Sequence, residues 1–397
     1  MIRDGARFEI EIRPGVFLAP ELLARVVRFE IEATVDGADA LQLVVHPWDE
    51  ERRAWLFRAG EPLGPGSEVV AWVGYGRELV ALQAFRVEHR RAPMRAGETP
   101  KLEITGYSAE ARMVANETAR SWSGPVSDAA IARELAEAHG LAWTPQTIPD
   151  TPTRDRGRVK EKGTTDWEFL RRLAYANGHG DPWVRWDPSS RRSVLYWRRT
   201  RLTDQEEIAT FRLFPALASE ASTLLSFDAS YSLQGAPSAV EVLGWDAVKD
   251  EPVRVRVTMD PSGQVSLLYK GPGARQVPQK IKSGTQLQVA TLQESGDGER
   301  PELLAVEGGP LQDAEAIGSW ARRYLETRNR GFTTAEAETV GYERAWIGQV
   351  HRFEGVPEEF AGAYEVTAVR HRIQGGAYRC SWDLRALIEE PQIREEG

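Results

Sequence analysis

The sequence predicts a mainly β protein with α+β inserts. Two observations carry this. Apolar and polar residues alternate through the first ~118 residues and again near the end, as in Phe8-Ile10-Ile12 and Tyr378-Cys380-Trp382-Leu384, which is the period of a half-buried strand. Capped segments of helical period are confined to three short stretches, around 127–140, 165–178 and 313–330.

The elements follow in order. Phe29-Ile31-Ala33-Val35 alternates with charged residues, and Asp36-Gly37-Ala38-Asp39 turns the chain into Leu41-Leu43-Val44-Val45. Gly60, Gly64-Pro65-Gly66 and Gly74-Tyr75-Gly76 separate further short strands, Val69-Ala71-Val73 among them, and Leu102-Ile104 closes the unit. Short strands at near-regular spacing predict a small barrel or sandwich over residues 1–118.

A peripheral α+β module is predicted over 119–220. Ser127 can cap a helix whose face is Ile131, Leu135 and Ala138, ended by Gly140. The Pro-containing loop from Thr144 to Lys162 carries Arg154, Arg156, Arg158, Lys160 and Lys162 and reads as exposed. Thr165 and Glu168 form a Thr-x-x-Glu capping box for a second helix with Trp167, Phe169, Leu170, Leu173 and Ala174 as its buried stripe. Gly178 and Gly180 stop it, and a strand ends in Val194-Leu195-Tyr196-Trp197.

Strands return from Leu224 onward. A second β unit is predicted, split into 221–257 and 332–388, with strands at Ala337–Tyr342, Trp346–Val350, Tyr364–His371 and Tyr378–Arg385. The intervening 258–331 reads as a Gly-, Pro- and Gln-rich insert ending in a helix capped by Asp313, with Ile317, Ala321, Tyr324 and Leu325 on its face. Residues 389–397 form an acidic tail. No close internal sequence repeat is visible, although the two β units could share a fold.

Composition excludes several classes. Hydrophobic residues make up 41% and charged residues 27% of 397, ordinary for a globular protein able to bury a sizeable core. A net charge of −9 argues against specific nucleic-acid binding. The single cysteine, Cys380, rules out an intramolecular disulfide and a cysteine-based zinc site. No run approaches ~18 apolar residues, so no membrane span is expected. The N-terminus shows no signal peptide, and cytosolic synthesis is expected. Most of the 13 tryptophans fall in strand-like text, where core packing or subunit contact accounts for them.

Chemistry is sparse. His46, His89, His139, His179, His351 and His371 form no His-x-x-x-His or His-Glu-x-x-His pattern. His179-Gly180-Asp181 is one histidine beside one acid in a glycine loop, better explained as a turn. His371 reads as a hydrogen-bonded structural histidine. Asp49-Glu50-Glu51 and Glu389-Glu390 read as solvated charge, and Asp166 and Glu168 as first-turn capping acids. There is no nucleophile elbow and no P-loop. No catalytic residue, cofactor site or metal site is assigned.

The central module resembles that of contractile-tail baseplate hub proteins, the late control D family of phages, which also forms the hub half of type VI secretion spike proteins. The resemblance rests on Val126-Ser127-Asp128 through His139-Gly140-Leu141 and on the helix Thr165-Asp166-Trp167-Glu168-Phe169-Leu170-Arg171-Arg172-Leu173-Ala174-Tyr175-Ala176-Asn177-Gly178. It rests also on Gly362-Ala363-Tyr364-Glu365-Val366-Thr367-Ala368-Val369-Arg370-His371, which follows the approach Gly348-Gln349-Val350. The order of elements agrees over nearly the whole chain. The family's Phe-x-Gly-x-(apolar) passage reads Phe85-Arg86-Val87-Glu88-His89 here, a departure.

The resemblance implies two tube-type β-barrel domains plus peripheral helix-containing domains. It implies a homotrimer whose six barrels match a hexameric tail tube on one side and a trimeric spike on the other. The implied partners are the tail tube or tube-initiator protein, a spike that is a separate polypeptide, baseplate wedge components and the tape measure protein, all within a virion tail or injection-system particle. Other readings are a tail-associated cell-wall hydrolase, a glycan- or receptor-binding β module, and, within the hub reading, a siphophage tail-tip hub.

Overall fold

A computed structural model describes residues 5–57, 62–154, 157–198, 208–213, 223–231, 239–246, 251–259, 265–270, 302–305, 318, 321 and 333–387. The first unit holds β1 (Ala6–Arg13), β2 (Val26–Thr34), β3 (Ala40–Val45), β4 (Glu68–Tyr75), β5 (Glu78–Arg91) and β6 (Leu102–Tyr107). The module between the β units holds α1 (Asp128–Ala138), α2 (Asp166–Ala176), β7 (Trp183–Asp187) and β8 (Arg192–Tyr196). The second unit holds β9 (Thr210–Arg212), β10 (Leu224–Tyr231), β11 (Thr333–Val340), β12 (Val350–Glu354), β13 (Gly362–Gln374) and β14 (Ala377–Ala386). The protein is mainly β, as its alternation predicts.

The strands of both units join in one 13-stranded sheet. In the first unit the spatial order is β2-β3-β6-β5-β4, with β1 added beside β4. In the second it is β10-β11-β14-β13-β12, with β9 added beside β12. These are the same connectivity, taken in chain order. Even the irregularities coincide. The register of β2 on β3 shifts between Val26 and Arg28, and that of β10 on β11 between Leu224 and Ser226. The ladder of β5 on β6 shifts between Val87 and His89, and that of β13 on β14 between Val366 and Ala368. A glycine with positive φ precedes each bulge at the same place: Gly66 donates its N–H to the Val87 carbonyl and Gly348 to the Val366 carbonyl, at 2.7 and 3.0 Å. Bulges are specific structural devices, so two at equivalent positions mark one unit used twice. The sixth strands differ, since β1 lies antiparallel to β4 and β9 parallel to β12.

Each unit curls until its ends meet. Phe8 of β1 stacks on Phe29 of β2 with centroids 4.5 Å apart, although these strands lie at opposite ends of the first unit. In the second, the N–H of Thr223 beside β10 donates to Arg212 O of β9 at 3.1 Å, and Phe227 packs on Phe353 at 5.6 Å. Leu41, Leu43, Ile104, Phe85 and Ile31 fill the first interior, and Trp382, Phe353, Tyr364 and Phe211 the second, in one continuous core. Burying each large apolar side chain contributes about 1.5–3 kcal/mol. The opposite sheet face carries the alternate residues, such as Gln42 opposite Thr105 and Glu336 opposite Asp383.

The helical module keeps a core of its own, in which Ile131, Leu135, Phe169, Leu170, Leu173 and Trp197 are buried. Both expected caps are present. Ser127 Oγ accepts from Ala130 N at 3.1 Å, and Thr165 and Glu168 complete the capping box. Gly140 and Gly178 end the helices with positive φ.

Three sequence expectations differ from the structure. Residues 346–349 form a turn, and the strand starts at Val350, because Gly348 must take φ +73° there. Ala239–Asp246 and Glu251–Met259, expected with the second unit, instead pair with Val265–Lys270 and Glu302–Ala305 in a separate four-stranded sheet. The loop ahead of Thr165 is not uniformly exposed: Arg158 and Lys160 have 0% and 1% exposure while Val159 has 51%. Arg158–Lys160 is a short strand paired with Arg120–Trp122, and it alternates with its charged side inward. Of the helix expected after Asp313, only Gly318 and Ala321 are described, both helical; its remaining residues, most of 258–331 and the 389–397 tail lie outside the described residues.

Candidate functional site

The feature that organises the molecule is the joint between its two β units. β13 is long enough to serve two partners along one edge. Its first part, Gly362–Glu365, pairs with β12, and after the bulge Ala368–Gln374 pairs antiparallel with β2. Across that joint Arg370 meets Glu32 at 2.8 Å and Arg372 meets Glu30 at 2.7 Å. Glu30 is only 6% exposed because both arginines lie over it. On the core face Val369, His371 and Ile373 stand opposite Ala33, Ile31 and Phe29.

His371 is fully buried at the joint. Its Nε2 lies 3.0 Å from the Ala345 carbonyl, which can only accept, so Nε2 carries the proton and Nδ1 accepts from the Tyr378 hydroxyl at 2.7 Å. Burial pushes its pKa down to about 4 and pushes the neighbouring Cys380 thiol up to about 12. This is the structural histidine that the sequence suggests. Tyr75 of β4 adds a hydrogen bond to Gly341 O at 2.9 Å, a second tie between the units.

Two strand edges away from the joint repeat its components without a strand beside them among the described residues. β5 beyond Arg86 has β6 on one side, and β10 has β11 on one side. Exposed apolar residues accompany both: Met94 just past β5 is 49% exposed and Leu225 on β10 is 40% exposed.

The helical module is fastened to both units. The Val184 carbonyl accepts from Trp346 Nε1 of the second unit at 3.0 Å and from Gln83 Nε2 of the first at 3.4 Å. Asp181 accepts from Arg171 at 3.1 Å within the module and from Arg385 of β14 at 3.4 Å. Inside the module, Arg158 grips Asp128 with two bonds of 2.7 and 3.0 Å, and Asn177 Nδ2 donates to the same carboxylate at 2.8 Å. Asp166 accepts from Asn116 Nδ2 at 2.7 Å, lies 2.7 Å from His139 Nε2 and pairs with Lys160. Asp166 is therefore more than a first-turn acid. Burial opposes its ionisation, but His139, Lys160 and Asn116 together hold its pKa below the usual carboxylate range.

One buried acid pair escaped the sequence reading. Asp39, at the end of the β2–β3 turn, has 0% exposure and Glu110 has 1%. Asp39 N donates to Glu110 Oε1 at 3.2 Å, Gln83 Nε2 donates to Asp39 Oδ2 at 2.8 Å, and Ser108 Oγ donates to Glu110. Burial is the main force raising both pKa values, and for Asp39 the neighbouring Glu110 charge raises it further. In sequence, Asp39 is an ordinary turn acid and Glu110 lies 71 positions away, so nothing linked them.

The remaining histidines are not drawn together. His46 lies 3.3 Å from Pro100 O, His179 packs edge-on against Trp197 at 4.6 Å, and His351 accepts from Ala209 N at 3.2 Å. Among the described residues no group of three or more His, Cys, Asp or Glu could hold a metal, and no helix is long and apolar enough to cross a membrane. The geometry offers edges, charged faces and docking ties.

No family model and no curated protein matches the sequence. Solved structures do match in fold. The tail protein from Neisseria meningitidis MC58 superposes with a TM-score of 0.61 at 12% identity, covering 96% of each chain. The 43 kDa tail protein of prophage MuSo2 from Shewanella oneidensis gives 0.59 at 12%, covering 96% of this chain and 98% of its own. An Escherichia coli component of the type VI secretion system, itself structurally similar to bacteriophage T4 tail proteins, gives 0.50 at 11%, covering 92% of this chain and 74% of its own. At this identity the likeness is one of fold, and it extends over nearly the entire chain: the protein has the fold of phage tail proteins.

Proposed function

We propose that the protein is a structural baseplate hub of a phage tail or related contractile injection system. In this reading it is a homotrimer that adapts a hexameric tail tube to a trimeric spike. The observation that carries it is the doubled unit: one chain holds the same strand connectivity twice, with the same bulges, joined edge to edge. Three such chains present six near-equivalent units under true threefold symmetry. Matched rotation is what lets identical contacts repeat, so this arrangement can meet sixfold and threefold partners at once. Each curled unit is then a tube-type barrel, and the helical module lies at the periphery against wedge components. The tail tube or tube initiator, a separate spike and the tape measure protein are the other partners, and the site of action is the assembled particle. The role is mechanical and non-enzymatic.

The fold shared with tail proteins and with the type VI component supports this reading. Mass photometry and crosslinking of the pure protein, alone and with a spike protein, test it: trimers are expected, and monomers under all conditions would overturn it. Zymography on cell walls tests the hydrolase alternative, for which a lytic band abolished by one acidic substitution would be required.

A further inference from the structure

The chain contains one complete joint and both halves of another. The complete joint is β13 against β2. Its halves recur as β5, the counterpart of β13, and β10, the counterpart of β2, each with an edge that no described strand occupies. The register carries across as far as Arg91, where the β5–β6 ladder ends. Arg86 opposes Tyr107 as Glu365 opposes Arg385, and the bulges follow at Val87 and Val366. Counting on from there, Arg91 stands where Arg370 does, Ala92 where His371 does, and Met94 where Ile373 does. Phe227 opposes Ala337 as Phe29 opposes Leu43. Phe227, Asp228 and Ala229 therefore stand where Phe29, Glu30 and Ile31 do.

We infer that β5 and its continuation in one copy pair antiparallel with β10 of a second copy, Ala92 opposite Ala229 and Met94 opposite Phe227. This deepens the trimer reading above and rests on it. Three observations fit. Ile373 and Phe29 face each other in the complete joint and are 6% and 0% exposed, whereas Met94 is 49% exposed with nothing yet opposite it among the described residues. The charge pair is kept: Arg370 lies 3.5 Å from Glu30 across the complete joint, and Arg91 and Asp228 occupy those two places. Arg91 is 77% exposed and meets only the half-exposed Glu103 at 3.4 Å, so it is able to turn toward a new acid. β10 ends the path through both units, and β5 beyond Arg86, past its pairing with β4, is the fourth strand along from the joint in the other unit, so the two edges belong to different units of the chain. The contact is head-to-tail, which yields a ring where the rotation closes. Pairing would cover both open edges, the usual way sheets avoid indiscriminate association.

Paired cysteines test the register. The double variant Ala92→Cys with Ala229→Cys changes two small residues, and the native Cys380 is 0% exposed and does not compete. Mild oxidation of the full-length protein should give covalent species of two and three chains on a non-reducing gel, lost on reduction. Met94→Cys with Phe227→Cys should do the same. The offset pair Ala92→Cys with Ser226→Cys should give at least tenfold less product. Trimers by mass photometry that crosslink in neither matched pair would overturn the inference and leave the hub reading standing. A crosslink confined to single chains would also overturn it. Monomers alone would defeat both.

Discussion

Replacing Arg158 with Met should lower the stability of the helical module by about 3–5 kcal/mol, the usual cost of breaking a buried ion pair from one side. The magnitude follows from what remains. Arg158 and Asp128 both have 0% exposure, and two charge-assisted bonds of 2.7 and 3.0 Å disappear. Asp128 keeps the Asn177 amide at 2.8 Å but loses its two charge-assisted bonds to Arg158 in a site shut away from water. Position adds to the effect. Asp128 opens α1, while Asn177 caps α2, so the pair ties one helix start to another helix end. The pair is itself imperfect, because Arg158 Nη1 is buried without a partner. Arg158→Met with Asp128→Leu should therefore recover most of the loss. Urea unfolding followed by tryptophan fluorescence reads this out, since Trp197 is buried in that core and Trp122 stacks on Phe169 at 5.4 Å. With a slope of roughly 2 kcal/mol per molar urea, the single variant's midpoint should fall by about 2 M. A fall worth less than about 1 kcal/mol, or a double variant as unstable as the single, would refute the reasoning.

Other outcomes follow from the same structure. Leu170→Asp or Leu173→Asp should unfold the module, because each places a charge at a position of 0% exposure; normal melting of either would show the helix face to be wrongly placed. His371 has its folded pKa lowered to about 4 from an ordinary 6.5, so the stability it contributes is full above 6.5 and is lost as pH falls toward 4, by about 3 kcal/mol; His371→Asn should flatten that part of the pH–stability curve. Asp39 is the opposite case: its folded pKa is raised, so its contribution is full below the ordinary carboxylate range and is lost as pH rises through the folded value, and Asp39→Asn should remove that decline in melting temperature. Gly66 and Gly348 hold the same place in the two units, yet a Cβ on Gly66 would make an ordinary contact with Arg86 Nη2 at 3.9 Å and one on Gly348 would overlap the Trp183 indole, itself stacked on Tyr196 at 3.8 Å. Gly66→Ala should cost about 1–2 kcal/mol for its left-handed φ, and Gly348→Ala about 1–3 kcal/mol more, measured by chemical denaturation.

Much of this architecture is legible in the sequence, for physical reasons that can be named. Alternation is a short-range signal, so Phe29-Ile31-Ala33 and Tyr378-Cys380-Trp382 declare their strands directly. Caps are local too, and Ser127 and the Thr165–Glu168 box lie where their side chains demand. The doubling is hidden because it resides in register and bulge position, which place little demand on residue identity. Val26-Val27-Arg28-Phe29-Glu30 and Leu224-Leu225-Ser226-Phe227-Asp228 do carry the same pattern, visible once the shared bulge aligns them. The Arg158–Lys160 strand shows correct alternation with its sense inverted: two cations face inward because Asp128, 30 positions back, and Asp166, 6 positions on, wait there. Joints between units are the least legible feature. Whether Arg370 meets Glu32 depends on how two curled sheets abut, and no local pattern encodes that.

The central claim, that one chain doubles a sheet unit so that three copies close a ring, is tested most directly by averaged electron images of the purified full-length protein. A particle of three chains around a central hole, with six similar lobes and three peripheral projections, is the expected result. Single chains, or a dimer related by a twofold axis, would contradict it.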